Sequence, residues 1–332
     1  MERMGKILVA GGGGFIGGHL VGFLIQQGHS DIRVIDCKPL GEWHQVFPEA
    51  ENIRADLREL ASCRAAVRDV RFVFNLAADM GGMGFIETHK ADCMLSVLIN
   101  THLLLAAREA GVERLFYSSS ACVYTAEKQT NADVVPLREG DAYPAMPEDG
   151  YGWEKLFSER MCRHFLEDYG FETRVARYHN VYGPFGTYDG GREKAPAAIC
   201  RKVIAARLSG SNVIEIWGDG HQTRSFMYVD DCIRGTCLIF DSEVSEPINL
   251  GSDRLLTINE LVDIAEAIGG VKLKRVYNLA APKGVRGRNS DNTLIRERLG
   301  WAPAIPLETG LEATYRWIYD QMTSRPKTSH VS

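Results

Sequence analysis

Tyr151-Gly152-Trp153-Glu154-Lys155 has the pattern Y-x-x-x-K. On a helix this i, i+4 spacing sets both side chains on one face. An ammonium beside a phenol favours the phenolate, so Tyr151 can serve as a base near neutral pH. Ser120 closes the run Ser118-Ser119-Ser120 and can share the proton of a substrate hydroxyl with Tyr151. Tyr151, Lys155 and Ser120 therefore suit removal and return of a hydride at a secondary alcohol. The pattern alone is common by chance and more often structural. It gains meaning only if a dinucleotide site precedes it.

Such a site is legible at the start of the chain. Lys6–Ala10 (KILVA) reads as a strand running into Gly11-Gly12-Gly13-Gly14-Phe15-Ile16-Gly17, with G-x-x-G-x-x-G at 11, 14 and 17. Gly11, Gly14, Phe15, Ile16 and Gly17 lie where a glycine turn and a helix N-terminus can receive a pyrophosphate. Asp36 ends the next strand, nineteen residues after Gly17. A carboxylate there accepts from a ribose diol and repels a 2′-phosphate, which favours NAD over NADP. Arg33 and Lys38 weigh the other way. Asp56 and Leu57 follow the third strand, at the position for an adenine edge.

The elements that must hold these groups alternate. Strands are predicted at Lys6–Ala10, Ile32–Asp36, Asn52–Ala55, Arg71–Ala77, Arg114–Ser118 and Thr173–Tyr178. Helices are predicted at Gly17–Gln27, Thr88–Ala110 and Gly150–Tyr169. Alternation of this kind implies an α/β fold: a doubly wound parallel sheet forming a dinucleotide-binding (Rossmann) domain. Residues 1–178 are expected to be mainly that NAD-binding domain. Residues 179–322 form mainly a smaller α/β substrate lobe with segments returning to the first domain, and 323–332 a flexible tail. Within the lobe, short strands are expected at Val213–Trp217 and Ser225–Tyr228, and Thr257 with Glu260 forms a capping box.

Composition excludes several classes. The 332 residues are 45% hydrophobic and 24% charged with a net charge of −5, ample for a large core and against nucleic-acid binding. Eight cysteines are scattered without a C-x-x-C, so no metal site is expected. Apolar stretches are read as far short of a membrane span. With a strand beginning at Lys6 and no signal segment ahead of it, the expectation is a cytoplasmic protein with reduced thiols.

The glycine turn, SSSACVYT and YGWEK resemble the extended short-chain dehydrogenase/reductase family, the nucleotide-sugar epimerases and dehydratases. Longer segments resemble its GDP-mannose 3,5-epimerase branch: NLAADMGGMGFI, HNVYGPFGTYDGGREKAPAAICRK, WGDGHQTRSF and GVRGRNSDN. The resemblance implies bound NAD, a GDP-mannose or related nucleotide-sugar substrate, and a homodimer. It implies acid/base roles for Cys122 and Lys194, which would exchange protons at C3 and C5 while C4 is a ketone. It places substrate contacts at Gly81, Ser120, Cys122, Asn180, Glu193, Lys194, Ala195, Lys202, Gln222, Thr223, Arg224, Arg286 and Arg288. By residue type alone, Cys122 reads first as a buried core cysteine and Lys194 as a solvated loop lysine beside Arg192 and Glu193; the intact SSAC and GGREKAP segments favour catalysis.

The acidic pair that dehydratases of the family carry after the strand-5 Ser/Thr is replaced here by Ala121-Cys122. That favours proton exchange at carbon over water loss. The stretches 125–135 and 208–213 depart from the pattern and are read as remote from the chemistry. Two other readings stay open. One is an epimerase of a GDP-heptose or GDP-octose; the other is a non-catalytic NAD sensor on the same fold.

Overall fold

The computed structural model describes residues 5–282 and 284–324. The first domain holds strands β1 (Lys6–Ala10), β2 (Ile32–Asp36), β3 (Glu51–Arg54), β4 (Val70–Asn75), β5 (Arg114–Ser120) and β6 (Glu172–Tyr178). With Ile248–Leu250 they form one seven-stranded sheet, in the order Ile248–Leu250, β6, β5, β4, β1, β2, β3. Every pairing in it is parallel.

The central strands β1 (KILVA) and β4 (VRFVFN) are mostly apolar because both faces are covered. Alternation within a strand sorts side chains to opposite faces. Ile7 and Val9 of β1 join one core with Val34, Phe74 and Phe116, while Leu8 and Ala10 join the other with Val73, Leu115 and Val175.

The crossover helices are α1 (Phe15–Gln26), α2 (Leu60–Ala66), α3 (Met83–Thr88), α4 (Lys90–Leu95), α5 (Val97–Glu109) and α6 (Asp149–Tyr169). The single helix predicted over Thr88–Ala110 is therefore broken. His89 and Ser96 interrupt it, and Ser96 turns its hydroxyl to accept from the Asp79 amide at 2.9 Å. The expectation about apolar stretches is also corrected. Lys90–Glu109 is the one helical stretch, among the described residues, long and apolar enough to cross a membrane. Its α5 part buries Ile99, Leu103, Leu104 and Ala107 in the second core, as a crossover helix must.

The second lobe packs α7 (Ala195–Ser209) against the helices Ile258–Gly269 and Leu307–Ser324. The capping box forms: Thr257 Oγ1 accepts from Glu260 N, and Glu260 returns the bond to Thr257 N. The strand expected over 225–228 divides into Thr223–Ser225 and Met227–Tyr228. The last helix runs to Ser324, so Thr323 and Ser324 are helical where a flexible tail was expected; the rest of that stretch, 325–332, lies outside the described residues. Ile248–Leu250 completes the seven-stranded sheet, and Val229, Cys232 and Ile233 enter the core on one of its faces.

Beneath the C-terminal ends of β5 and β6 lies a buried ion pair. Arg177 Nη2 reaches Glu159 Oε2 at 2.7 Å, with both side chains 2% exposed. Ser119 donates to the same carboxylate, and Arg177 Nη1 donates to Tyr124 Oη at 3.2 Å and to the Glu139 carbonyl at 2.7 Å. Removing one partner strands the other charge in the interior. Arg177→Met is expected to cost about 3–5 kcal/mol. Urea unfolding checks this, as a lower midpoint at unchanged slope.

Candidate active site

β5 ends at Ser120 and passes directly into a 3-10 turn, Ala121–Val123, which Ser120 caps by accepting from Cys122 N at 3.2 Å. α6 begins against this turn. Glu148 N donates to the Cys122 carbonyl at 2.9 Å. A Cβ on Gly152 would stand 2.4 Å from that same oxygen, so only glycine permits the approach. Tyr151 is thereby held beside Cys122, and both line one cleft with Ser120. Lys194 enters the cleft from the other lobe as the residue preceding α7.

The cleft also takes Gly81, Asn180, Glu193, Ala195, Lys202, Gln222, Arg224 and Arg288, all of which the resemblance placed at the substrate. Thr223 and Arg286 do not line it. Thr223 gives its hydroxyl to the Ala132 carbonyl, and Arg286 is held by the Asp219 carboxylate at 2.7 and 2.9 Å. Gly81 lines the cleft, but its missing side chain chiefly makes room for Phe85 and Arg192. Lys202 gives its ammonium to the Glu215 carbonyl at 2.9 Å, and Gln222 donates to the Trp217 carbonyl at 2.7 Å. Asn180 donates to Ser225 O at 2.9 Å. Glu193 accepts from Gly191 N and Arg201.

The charges depart from simple expectation. Burial pushes the Tyr151 phenol well above its usual range, opposed by hydrogen bonding from Ser120. The Lys155 ammonium does not offset this. It lies 3.5 Å from the Glu154 carboxylate and 4.7 Å from the centre of the Tyr117 ring, with the Tyr151 ring at 5.5 Å. Glu154, which the sequence reading passed over, balances it; Tyr117 and Ser158 donate to the other carboxylate oxygen. Desolvation lowers the Lys194 pKa toward the neutral amine, partly opposed by Cys122. Burial also brings Arg224 down to about 10.

The dinucleotide end fits NAD. α1 starts at Gly14 with no side-chain cap, leaving the first helical N–H groups of Phe15 and Ile16 for a pyrophosphate. Gly11, at φ +80°, and Gly17 pack against backbone, since a Cβ on Gly17 would lie 2.2 Å from Gly11 O. Asp36 uses one oxygen to accept from Lys38 N at 3.1 Å; the other has no protein partner among the described residues. Arg33 is turned away, donating to Ala66 O, Arg68 O and Glu51. Lys38 donates to Gly13 O at 2.8 Å. The carboxylate of Asp56, expected at the adenine edge, is taken by Arg58 at 2.6 Å, and Leu57 beside it is buried. Among the described residues no group of His, Cys, Asp and Glu could hold a metal ion.

A glycine turn on an uncapped helix, an acidic residue ending the second strand, Ser120 and Tyr151 lining one cleft and Lys155 one turn further along α6 are the features of a dinucleotide-dependent centre of the short-chain dehydrogenase type. The model of the NAD dependent epimerase/dehydratase family matches residues 7–251. The chain belongs to that family and is an NAD-dependent epimerase. It is 45% identical over 327 residues to GDP-mannose 3,5-epimerase 1 of Oryza sativa subsp. indica, covering 98% of this chain and 84% of that one. Against GDP-mannose 3,5-epimerase of Arabidopsis thaliana the identity is 44%, covering 98% and 86%.

Among solved structures, UDP-glucose 4-epimerase of Thermotoga maritima with UDP-glucose superposes at a TM-score of 0.85. It has 28% identity, over 96% of this chain and 99% of that one. UDP-glucuronic acid 4-epimerase of Bacillus cereus, solved with UDP-glucuronic acid and NAD, gives 0.81 at 25% identity, over 96% and 99%.

Asp36→Ala is expected to weaken NAD about tenfold, about 1.4 kcal/mol, and to narrow its advantage over NADP. Calorimetric titration of both dinucleotides into cofactor-free protein measures each.

Proposed function

We propose that this enzyme epimerises GDP-mannose at C3 and C5. One observation carries the reading: a thiol, Cys122, and a desolvated amine, Lys194, line the same cleft as Ser120 and Tyr151, one from the turn after β5 and the other from the start of α7. Simple inversion at C4 needs neither group. Epimerisation beside a carbonyl needs one group to remove a proton from carbon and another to return one on the opposite face.

NAD, when bound, supplies oxidation of the C4 alcohol and its later reversal, and the interval as a ketone makes the C3 and C5 protons acidic. Tyr151 would take the C4 hydroxyl proton and give it back once the positive charge of bound NAD offsets the burial that keeps its phenol protonated in the protein alone, with Ser120 hydrogen-bonded to the phenol. Lys194, with its pKa lowered by burial, can accept a proton as the free amine and donate it as the ammonium. Cys122 serves as the partner acid/base. Arg224 and Lys202, which line the cleft and now donate to backbone carbonyls, are proposed to turn to the diphosphate.

The enzyme is also proposed to pair as a homodimer. α4, α5 and α6 expose the large apolar side chains Met94, Leu95, Leu98, Trp153 and Phe157, which a second copy of the chain would cover. Sedimentation of the wild type should give twice the chain mass, and Phe157→Glu should give the monomer; a monomeric wild type removes this part of the reading.

GDP-mannose incubated with the enzyme in deuterated water should gain deuterium at C3 and C5 without added NAD. Cys122→Ala and Lys194→Ala should each slow exchange by about 10²–10⁴ while retaining NAD. Mass spectrometry and proton NMR of the recovered sugar read this out. An unlabelled ring in the wild type sinks the proposal.

A further inference from the structure

The resemblance offers Arg288 to the substrate, yet its guanidinium is already engaged. Nη1 donates to Cys122 Sγ at 3.7 Å, Nε donates to Gln129 Oε1 at 2.7 Å, and Nη2 forms an ion pair with the Glu148 carboxylate. Gln129 Nε2 in turn donates to Glu148 Oε1 at 3.3 Å, and Glu148 N donates to the Cys122 carbonyl at 2.9 Å. The contacts close a ring: Cys122 to Arg288, Arg288 to Gln129 and Glu148, and Glu148 back to Cys122.

The ring is interior. Gln129 is 0% exposed and Cys122 and Arg288 are each 5% exposed. Glu148 precedes α6 yet does not cap it with its side chain, because that carboxylate is spent on Arg288. The Arg286 amide donates to the Gln129 carbonyl, fixing the two strands of the ring to each other.

We propose that Glu148 and Gln129 are positioning residues that hold the Arg288 guanidinium on the Cys122 sulfur and so set the proton affinity of that thiol. The inference rests on the reading of Cys122 as an acid/base. Other charged or titratable groups also face the sulfur. Tyr151 comes from α6, Lys194 from the start of α7, and Arg224 from Thr223–Ser225. Cys93 of α4 shares its apolar surround. Arg288 is the group seen to donate a hydrogen bond to it. Glu148 is the carboxylate that compensates Arg288. Removing the cation and removing its counter-charge must therefore act on the thiol in opposite directions.

Alkylation of Cys122 by iodoacetamide, followed peptide by peptide across pH, reads this directly and needs no substrate. In Arg288→Met the sulfur loses its cation, and the pH of half-maximal alkylation should rise, leaving the rate at pH 7 about tenfold lower. In Glu148→Gln the uncompensated guanidinium should draw the midpoint down and raise the rate at pH 7 by up to about tenfold. Gln129→Met, which loosens Arg288 without changing charge, should shift the midpoint in the direction of Arg288→Met by a smaller factor. Opposite shifts support the proposal.

Shifts of the same sign, or none, in variants that keep wild-type circular dichroism overturn it. If Arg288→Met does not fold, Glu148→Gln and Gln129→Met decide, and equal or absent shifts in those two overturn it. Deuterium exchange into GDP-mannose, measured separately, tests the catalytic reading. A wild type without exchange whose thiol still shifts in opposite senses ends that reading and leaves the ring's control of Cys122 standing.

Discussion

The site depends on how closely α6 approaches the turn that follows β5. At Gly152 the helix backbone comes so near the Cys122 carbonyl that a single methyl group would be placed 2.4 Å from the oxygen. The Glu148 amide hydrogen-bonds that oxygen at the same junction. A strand end, a 3-10 turn and a helix start are thus locked together within a few residues. Tyr151 and Lys155 descend from the locked end of the helix, and Ser120 and Cys122 from the locked turn. The buried Glu159–Arg177 pair, with Ser119 on the same carboxylate, braces this junction from beneath. Because the parallel register sets Ser118–Ser120 opposite Ala176–Tyr178, bracing β6 also braces the serine run.

Electrostatics in the cleft follow from burial more than from pairing. Desolvation disfavours whichever form is charged. It therefore acts oppositely on the phenol, held protonated at Tyr151, and on the amine, eased toward neutrality at Lys194. The Y-x-x-x-K spacing suggests that lysine activates tyrosine, but Glu154 lies between them in sequence and takes the ammonium at 3.5 Å. In the protein alone the lysine charge is balanced locally, and Tyr151 keeps its proton.

The sheet, its crossovers and the glycine turn were legible because each rests on local rules. Continuous apolar strands mean burial on both faces, and glycine between strand and helix means close backbone approach. Cys122 and Lys194 were legible only through long segments resembling a family, since a lone thiol or loop lysine has no local signature. The break in the Thr88–Ala110 helix escaped notice because Ser96 acts through a contact with Asp79, seventeen residues earlier.

The stretch 125–135 is the instructive failure. It looks remote from the chemistry because it departs from the family pattern, yet Gln129 is completely buried and donates to Glu148, while Ala132 accepts from Thr223. A glutamine in a polar loop carries no sequence signal of burial. Its value arises only when Gly287–Arg288 pairs with Thr223–Ser225 and brings Arg288 across to Cys122. Such groups, separated by 159 positions in the case of Gln129 and Arg288, meet through tertiary closure alone. A divergent loop therefore says little about distance from the reacting atoms.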